Sequence, residues 1–106
     1  MSARRNKFNA KPQVVDGVRF ASKAEAKRDA ELQLLAKCGT IQMLQRQPRF
    51  PLKVYGELIC TYVGDWQYHE HGRVVIEDCK GVLTPAFKIK WKLAQTLFPE
   101  FEWRLS

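Results

Sequence analysis

A chain of 106 residues fits one domain with its own core and leaves little room for a second. Its 45% hydrophobic content argues against disorder, while a formal charge of +7 and a pI near 9.6 favour a polyanionic partner, of which nucleic acid is the commonest soluble one. Cys38, Cys60 and Cys79 are odd in number and lack metal-ligand spacing, which argues against a disulfide framework or a zinc site and fits a reduced, cytoplasmic compartment.

No apolar core of a signal peptide follows Met1 to Arg5, and no run approaches a membrane span, so the expectation is an intracellular protein with no membrane association. Residues 1–12 carry Arg4, Arg5, Lys7 and Lys11 with little to bury. They read as a flexible basic arm that either tracks a phosphate backbone or only aids solubility. Residues 13–106 read as the single domain. Val14 to Phe20 has the signature of a small hairpin with Asp16-Gly17 at its turn.

Ser22 followed three residues later by Glu25 is a capping box, and the helix it opens runs to Lys37 before Gly39 ends it. Glu25 stands at the edge of the buried side of that helix. Its carboxylate can therefore face inward toward a sheet as well as cap the helix. Ile41 to Tyr55 is predicted to be a strand, and Pro48 and Pro51 make it an edge or bulged one, because proline donates no ladder bond. Gln47 is either a polar edge residue or reaches a site from there.

Gly56-Glu57 leads into two runs rich in β-branched and aromatic residues, Thr61 to Tyr68 and Arg73 to Lys80, which predict a hairpin. The simplest loop is His71-Gly72: glycine accepts positive φ freely, and histidine visits it more than most residues. That closure pairs Glu70 with Arg73 and, counting outward, Asp65 with Asp78, with Lys80 two residues further along the same face. Facing Cβ atoms stand about 5 Å apart. At an effective dielectric of about 20, two carboxylates so placed repel by roughly 3 kcal/mol. A divalent cation removes that cost. A hard ion such as Mg²⁺ takes carboxylate oxygens and water, and Lys80 can hold a nucleophilic water or steady a phosphoryl charge. The plainer alternative is a cross-strand Asp/Lys salt bridge at a strand end.

Unbroken alternation along the hairpin puts Ile59, Thr61, Val63, Val74 and Ile76 on the face of the acidic pair, and Leu58, Cys60, Tyr62, Trp66, Val75 and Cys79 on the other. A sheet apolar on both faces is covered on both. Glu77 falls opposite Asp78. His69 and His71 flank Glu70 and, with no third ligand nearby, read as turn chemistry rather than a metal site. Thr84 as N-cap and Pro85 at the first helical position start a second helix, with Phe87, Trp91, Ala94, Leu97 and Phe98 as its buried stripe. Lys88 and Lys92 lie one turn apart on its exposed side, suited to phosphates. Phe101, Trp103 and Leu105 alternate with Glu102 and Arg104 as a last strand, which a right-handed crossover places parallel to the Val74 to Lys80 strand.

The predicted order is helix, three-strand meander, helix, strand: an α/β domain whose mixed sheet is covered by helices on both faces. One acid lies on the first helix, one on the second strand, and acid-x-lysine on the third. This arrangement resembles the PD-(D/E)xK nuclease superfamily, with its restriction-endonuclease-like core, and its residues here would be Glu25, Asp65, Asp78 and Lys80. Gly64 stands where that pattern has proline. The segments Val15-Asp-Gly-Val-Arg-Phe20, Ser22-Lys-Ala-Glu-Ala26, Gln47-Pro-Arg-Phe-Pro-Leu52 and Glu77-Asp-Cys-Lys-Gly-Val82 are also similar to a family of small phage and prophage proteins catalogued without a known function.

The resemblance implies a DNA endonuclease. Asp65, Asp78 and the Cys79 carbonyl would hold Mg²⁺, with Mn²⁺ as a substitute, and Glu25 would add a ligand directly or through water. Lys80 would orient or deprotonate the attacking water. Lys88, Lys92 and the amino-terminal arm would hold the DNA backbone. A core this small fits a homodimer, although no residue in the sequence marks an interface. The rival expectation is a basic module that binds nucleic acid in a phage replication or packaging complex without chemistry.

Overall fold

The structure, a computed structural model, describes residues 13–15 and 18–106; the basic arm with Arg4, Arg5, Lys7 and Lys11, and the Asp16-Gly17 turn, lie outside the described residues. β1 (Gln13–Val15) and β2 (Val18–Phe20) pair antiparallel ahead of α1 (Lys23–Lys37). Ser22 caps α1, its hydroxyl accepting from the Glu25 N–H at 3.2 Å, and Gly39 ends it at a φ of 79°. Five strands follow: β3 (Gln42–Arg46), β4 (Arg49–Val54), β5 (Glu57–Val63), β6 (Trp66–Glu70) and β7 (Arg73–Asp78). Thr84 caps α2 (Pro85–Leu97) by accepting from the Phe87 N–H at 3.1 Å, and β8 (Glu102–Leu105) closes the fold.

The main sheet has the order β3-β6-β7-β8, antiparallel except for β7 and β8, which run parallel across the α2 crossover. The fold is thus α/β with a mixed sheet. One apolar cluster, Leu32, Ile41, Trp66, Tyr68 and Val75, fills the α1 side. The other, built on Ile76, Ala94, Phe50, Leu52 and Tyr62, fills the α2 side, where Trp91, Trp103, Phe98 and Phe101 pack edge-on and tilted against it.

Two predicted strands turn out to be four. Ile41 to Tyr55 breaks at Gln47-Pro48 into β3 and β4, and Thr61 to Tyr68 breaks at Gly64-Asp65 into β5 and β6. β3 is an edge strand whose register also slips between Gln42 and Gln45, with Met43 at a φ of 55°. The two breaks lie side by side: the Gln47 N–H donates to the Asp65 carbonyl and the Gly64 N–H to the Pro48 carbonyl, both at 2.9 Å. One long hairpin is therefore creased across both strands. Its lower half joins the main sheet, while its upper half, β4 and β5, leaves as a two-stranded arm that packs on α2.

The crease reverses the expected alternation upstream of Gly64. Tyr62 and Cys60 pack with Ile76 on the α2 side, and Ile59 and Val63 are exposed. Gly64 is tightly enclosed, since a Cβ there would stand 3.3 Å from both Ile76 Cγ2 and Pro48 Cγ.

Candidate active site

The site begins at the turn that sets its register. His71 and Gly72 take φ values of 51° and 77°, and β6 pairs with β7 as Glu70 with Arg73 through to Trp66 with Glu77. Asp65 is the next residue beyond that ladder, tied to it by its own N–H donating to the Glu77 carbonyl at 3.1 Å. Its Oδ2 accepts from the Cys79 N–H at 2.7 Å.

Asp78 is fully buried. The Tyr62 hydroxyl donates to its Oδ2, while Oδ1 accepts no hydrogen bond and lies 3.4 Å from Lys80 Nζ. Lys80 Nζ sits 5.0 Å above the Phe87 ring. A buried anion with an unfilled oxygen is a costly arrangement. Burial first, and then the charge of Asp78, push the Asp65 carboxyl up to about 8, against the pull of the Cys79 N–H. Burial followed by the same Asp78 charge also raises the Tyr62 phenol, which keeps it a donor.

Glu25 reaches the site from the first turn of α1 and is 7% exposed. Its Oε2 accepts from Arg46 Nη2 at 3.1 Å; Arg46 in turn stands 3.6 Å from Asp29 Oδ1 and 4.5 Å above the Phe20 ring. A cavity of about 580 Å³ opens between the N-terminal ends of the two helices, lined by Glu25, Asp65, Cys79, Lys80, Thr84 and Phe87. The structure thus brings Glu25, Asp65 and Lys80 onto one cavity, with Asp78 buried beside Asp65 and Lys80. Lys88 and Lys92 are exposed on α2, whose first turn forms one wall of that cavity.

Glu77 points the other way. It is fully buried on the α1 side, where Arg28 Nε and Nη2 donate to its two oxygens at 2.6 and 3.1 Å and the Tyr68 hydroxyl donates at 2.5 Å. Three residues of the site escape a sequence reading. Tyr62 is hidden because alternation counted through Gly64 assigns it to the wrong face. Phe87 is legible only as part of the buried stripe of the second helix, and Arg46 lies inside the predicted Ile41 to Tyr55 strand, whose break at Gln47-Pro48 turns it toward Glu25.

Among the described residues, no three His, Cys, Asp or Glu side chains are grouped as a ligand set. The donors present nevertheless fit Mg²⁺. That ion is usually held by one or two carboxylates, with water and substrate phosphate filling its shell, and Asp78 Oδ1 is a buried carboxylate oxygen left open beside a second carboxylate.

Fold and site together define a small α/β domain with a carboxylate pair, Asp78 buried and Asp65 half-buried, and a lysine at the crease of its sheet. A family described as "protein of unknown function (DUF1064)" matches residues 5–106, and the chain belongs to it. None of the curated proteins compared with the chain matches it. No helix among the described residues is long and apolar enough to cross a membrane.

Proposed function

We propose that the protein is a metal-dependent endonuclease of the PD-(D/E)xK type, an intracellular phage or prophage enzyme that hydrolyses phosphodiester bonds in DNA during recombination or replication. One observation carries the reading: Asp78 keeps a buried, unbonded carboxylate oxygen 3.4 Å from Lys80 Nζ and next to Asp65. A structural salt bridge has no use for the second carboxylate. Mg²⁺ or Mn²⁺ held by Asp65 and Asp78, with the Cys79 carbonyl and Glu25 as further donors, supplies Lewis-acid stabilisation of charge on the scissile phosphate and the leaving 3′ oxygen.

The chain's own groups do the positioning. Tyr62 occupies one oxygen of Asp78 and leaves the other open, and the Cys79 N–H fixes the Asp65 carboxylate. Arg46 holds Glu25 at the cavity wall. Lys80, braced by Asp78 and the face of Phe87, orients the attacking water and meets phosphoryl charge. Lys88 and Lys92 contact the backbone without reading sequence.

The test is incubation with linear, nicked and four-way DNA in Mg²⁺, Mn²⁺ or EDTA. Cleavage is expected with either metal, none in EDTA, and none from Asp65→Ala, Asp78→Asn or Lys80→Ala proteins that still bind DNA. Wild-type protein that binds these substrates and cuts none of them refutes the catalytic reading and favours a binding module. Elution volume on a sizing column tests the homodimer that a core of this size suggests.

A further inference from the structure

A second cavity, of about 340 Å³, opens on the α1 side of the β7 exit, with Lys27, Arg28, Glu31, Lys80 and Gly81 among its walls. It shares Ala24, Cys79, Lys80 and Gly81 with the acidic cavity, so the two adjoin at Lys80. The first is acidic and the second basic. Lys27, Arg28 and Lys80 line the second together with Glu31 and Ser106; Arg28 is already committed, donating to Glu77 through Nε and Nη2 and to Glu31 through Nη1, and Lys80 is paired with Asp78 at 3.4 Å. Lys27 is exposed and forms no ion pair with any described residue.

We infer that this cavity is a phosphate subsite: it takes the phosphodiester anion next to the one held at Asp65 and Asp78, with Lys27 supplying the uncommitted charge. The inference rests on the nuclease reading in taking that anion to be nucleic-acid backbone. Lys88 and Lys92 are exposed on α2, the helix whose first turn walls the acidic cavity, and Lys27 lines the adjoining cavity from α1. A strand bound to both crosses the site from one helix to the other.

The experiment measures binding of a fluorescently labelled DNA duplex in EDTA over a series of salt concentrations, for wild type, Lys27→Ala, Lys27→Glu and Lys53→Ala. Lys53 is exposed on the β4 arm, outside both cavities, and controls for net charge. Lys27→Ala should weaken binding several-fold and flatten the log–log salt dependence by about 0.9, the loss of one phosphate contact. Lys27→Glu should weaken it further, and Lys53→Ala should change neither quantity. An unchanged slope in Lys27→Ala, or an equal change in Lys53→Ala, overturns the subsite even if the wild type cuts DNA. Inorganic phosphate that raises the melting temperature of wild type but not of Lys27→Ala, with DNA slopes unchanged, assigns the cavity to a small phosphate and likewise overturns it. Wild type that binds no DNA overturns both readings; a slope change without cleavage overturns only the catalytic one.

Discussion

Replacing Arg28 by Met would strip a fully buried Glu77 of its cation and leave the hydroxyls of Tyr68 and Ser106 as its side-chain donors. Removing one partner of a buried ion pair costs about 3–5 kcal/mol, and because the Arg28 side chain is itself 25% exposed, water relieves part of that and the lower end applies. Loss of the exposed Glu31 contact adds little. In a domain of this size, about 3 kcal/mol lowers the melting temperature by at least about 10 °C. The pH dependence has a definite sign. Burial alone would raise the Glu77 carboxyl, but the bonds from Arg28, Tyr68 and Ser106 hold it below its ordinary 4.5. Its stabilisation is therefore present above about pH 4.5 and lost as pH falls through the folded value. In Arg28→Met, burial wins and the carboxyl is raised, so the gap between variant and wild type is widest near neutrality and narrows toward pH 4.5. Melts followed by circular dichroism at several pH values measure this. The double variant Arg28→Met/Glu77→Leu should recover most of the loss, since an apolar pair replaces a buried ionic one at little cost. A single variant melting within about 2 °C of wild type at neutral pH would refute the account.

Gly64→Ala forces a Cβ to within 3.3 Å of Ile76 and Pro48, and should cost about 1–3 kcal/mol in chemical denaturation by overpacking the crease; a variant as stable as wild type would show that the crease is loose. Burial and the Asp78 charge raise the Asp65 carboxyl from 3.8 to about 8, so metal-free stability falls as pH rises between those values. Asp65→Asn should flatten that fall by about 2 kcal/mol after allowance for partial solvation, and a variant whose melting temperature tracks wild type across pH in EDTA would contradict it.

How much of this was legible in the sequence depended on where each residue's position is decided. Ser22, Glu25, Thr84 and Pro85 act within one helical turn, so their caps could be read locally. The β6–β7 register is set by two residues, His71 and Gly72, and counting outward from them reached Trp66 opposite Glu77 without error. Asp65 lies one residue beyond the last pair of that ladder, on the near side of the crease, and its N–H still bonds the Glu77 carbonyl. Tyr62 lies on the far side. Its face depends on backbone bonds from Gln47 and Gly64 that join segments far apart in sequence, and periodicity carries no trace of such bonds. The same break moved Ile59 and Val63 out of the core and brought Tyr62 to Asp78. Arg28 was within reach of a stricter accounting. Once Glu77 is assigned to the covered face opposite Asp78, a buried carboxylate there requires a cation, and the helix covering that face has Arg28 one turn beyond Glu25. The acid with no partner on its own strand was the visible half of an ion pair whose other half lay 49 residues away.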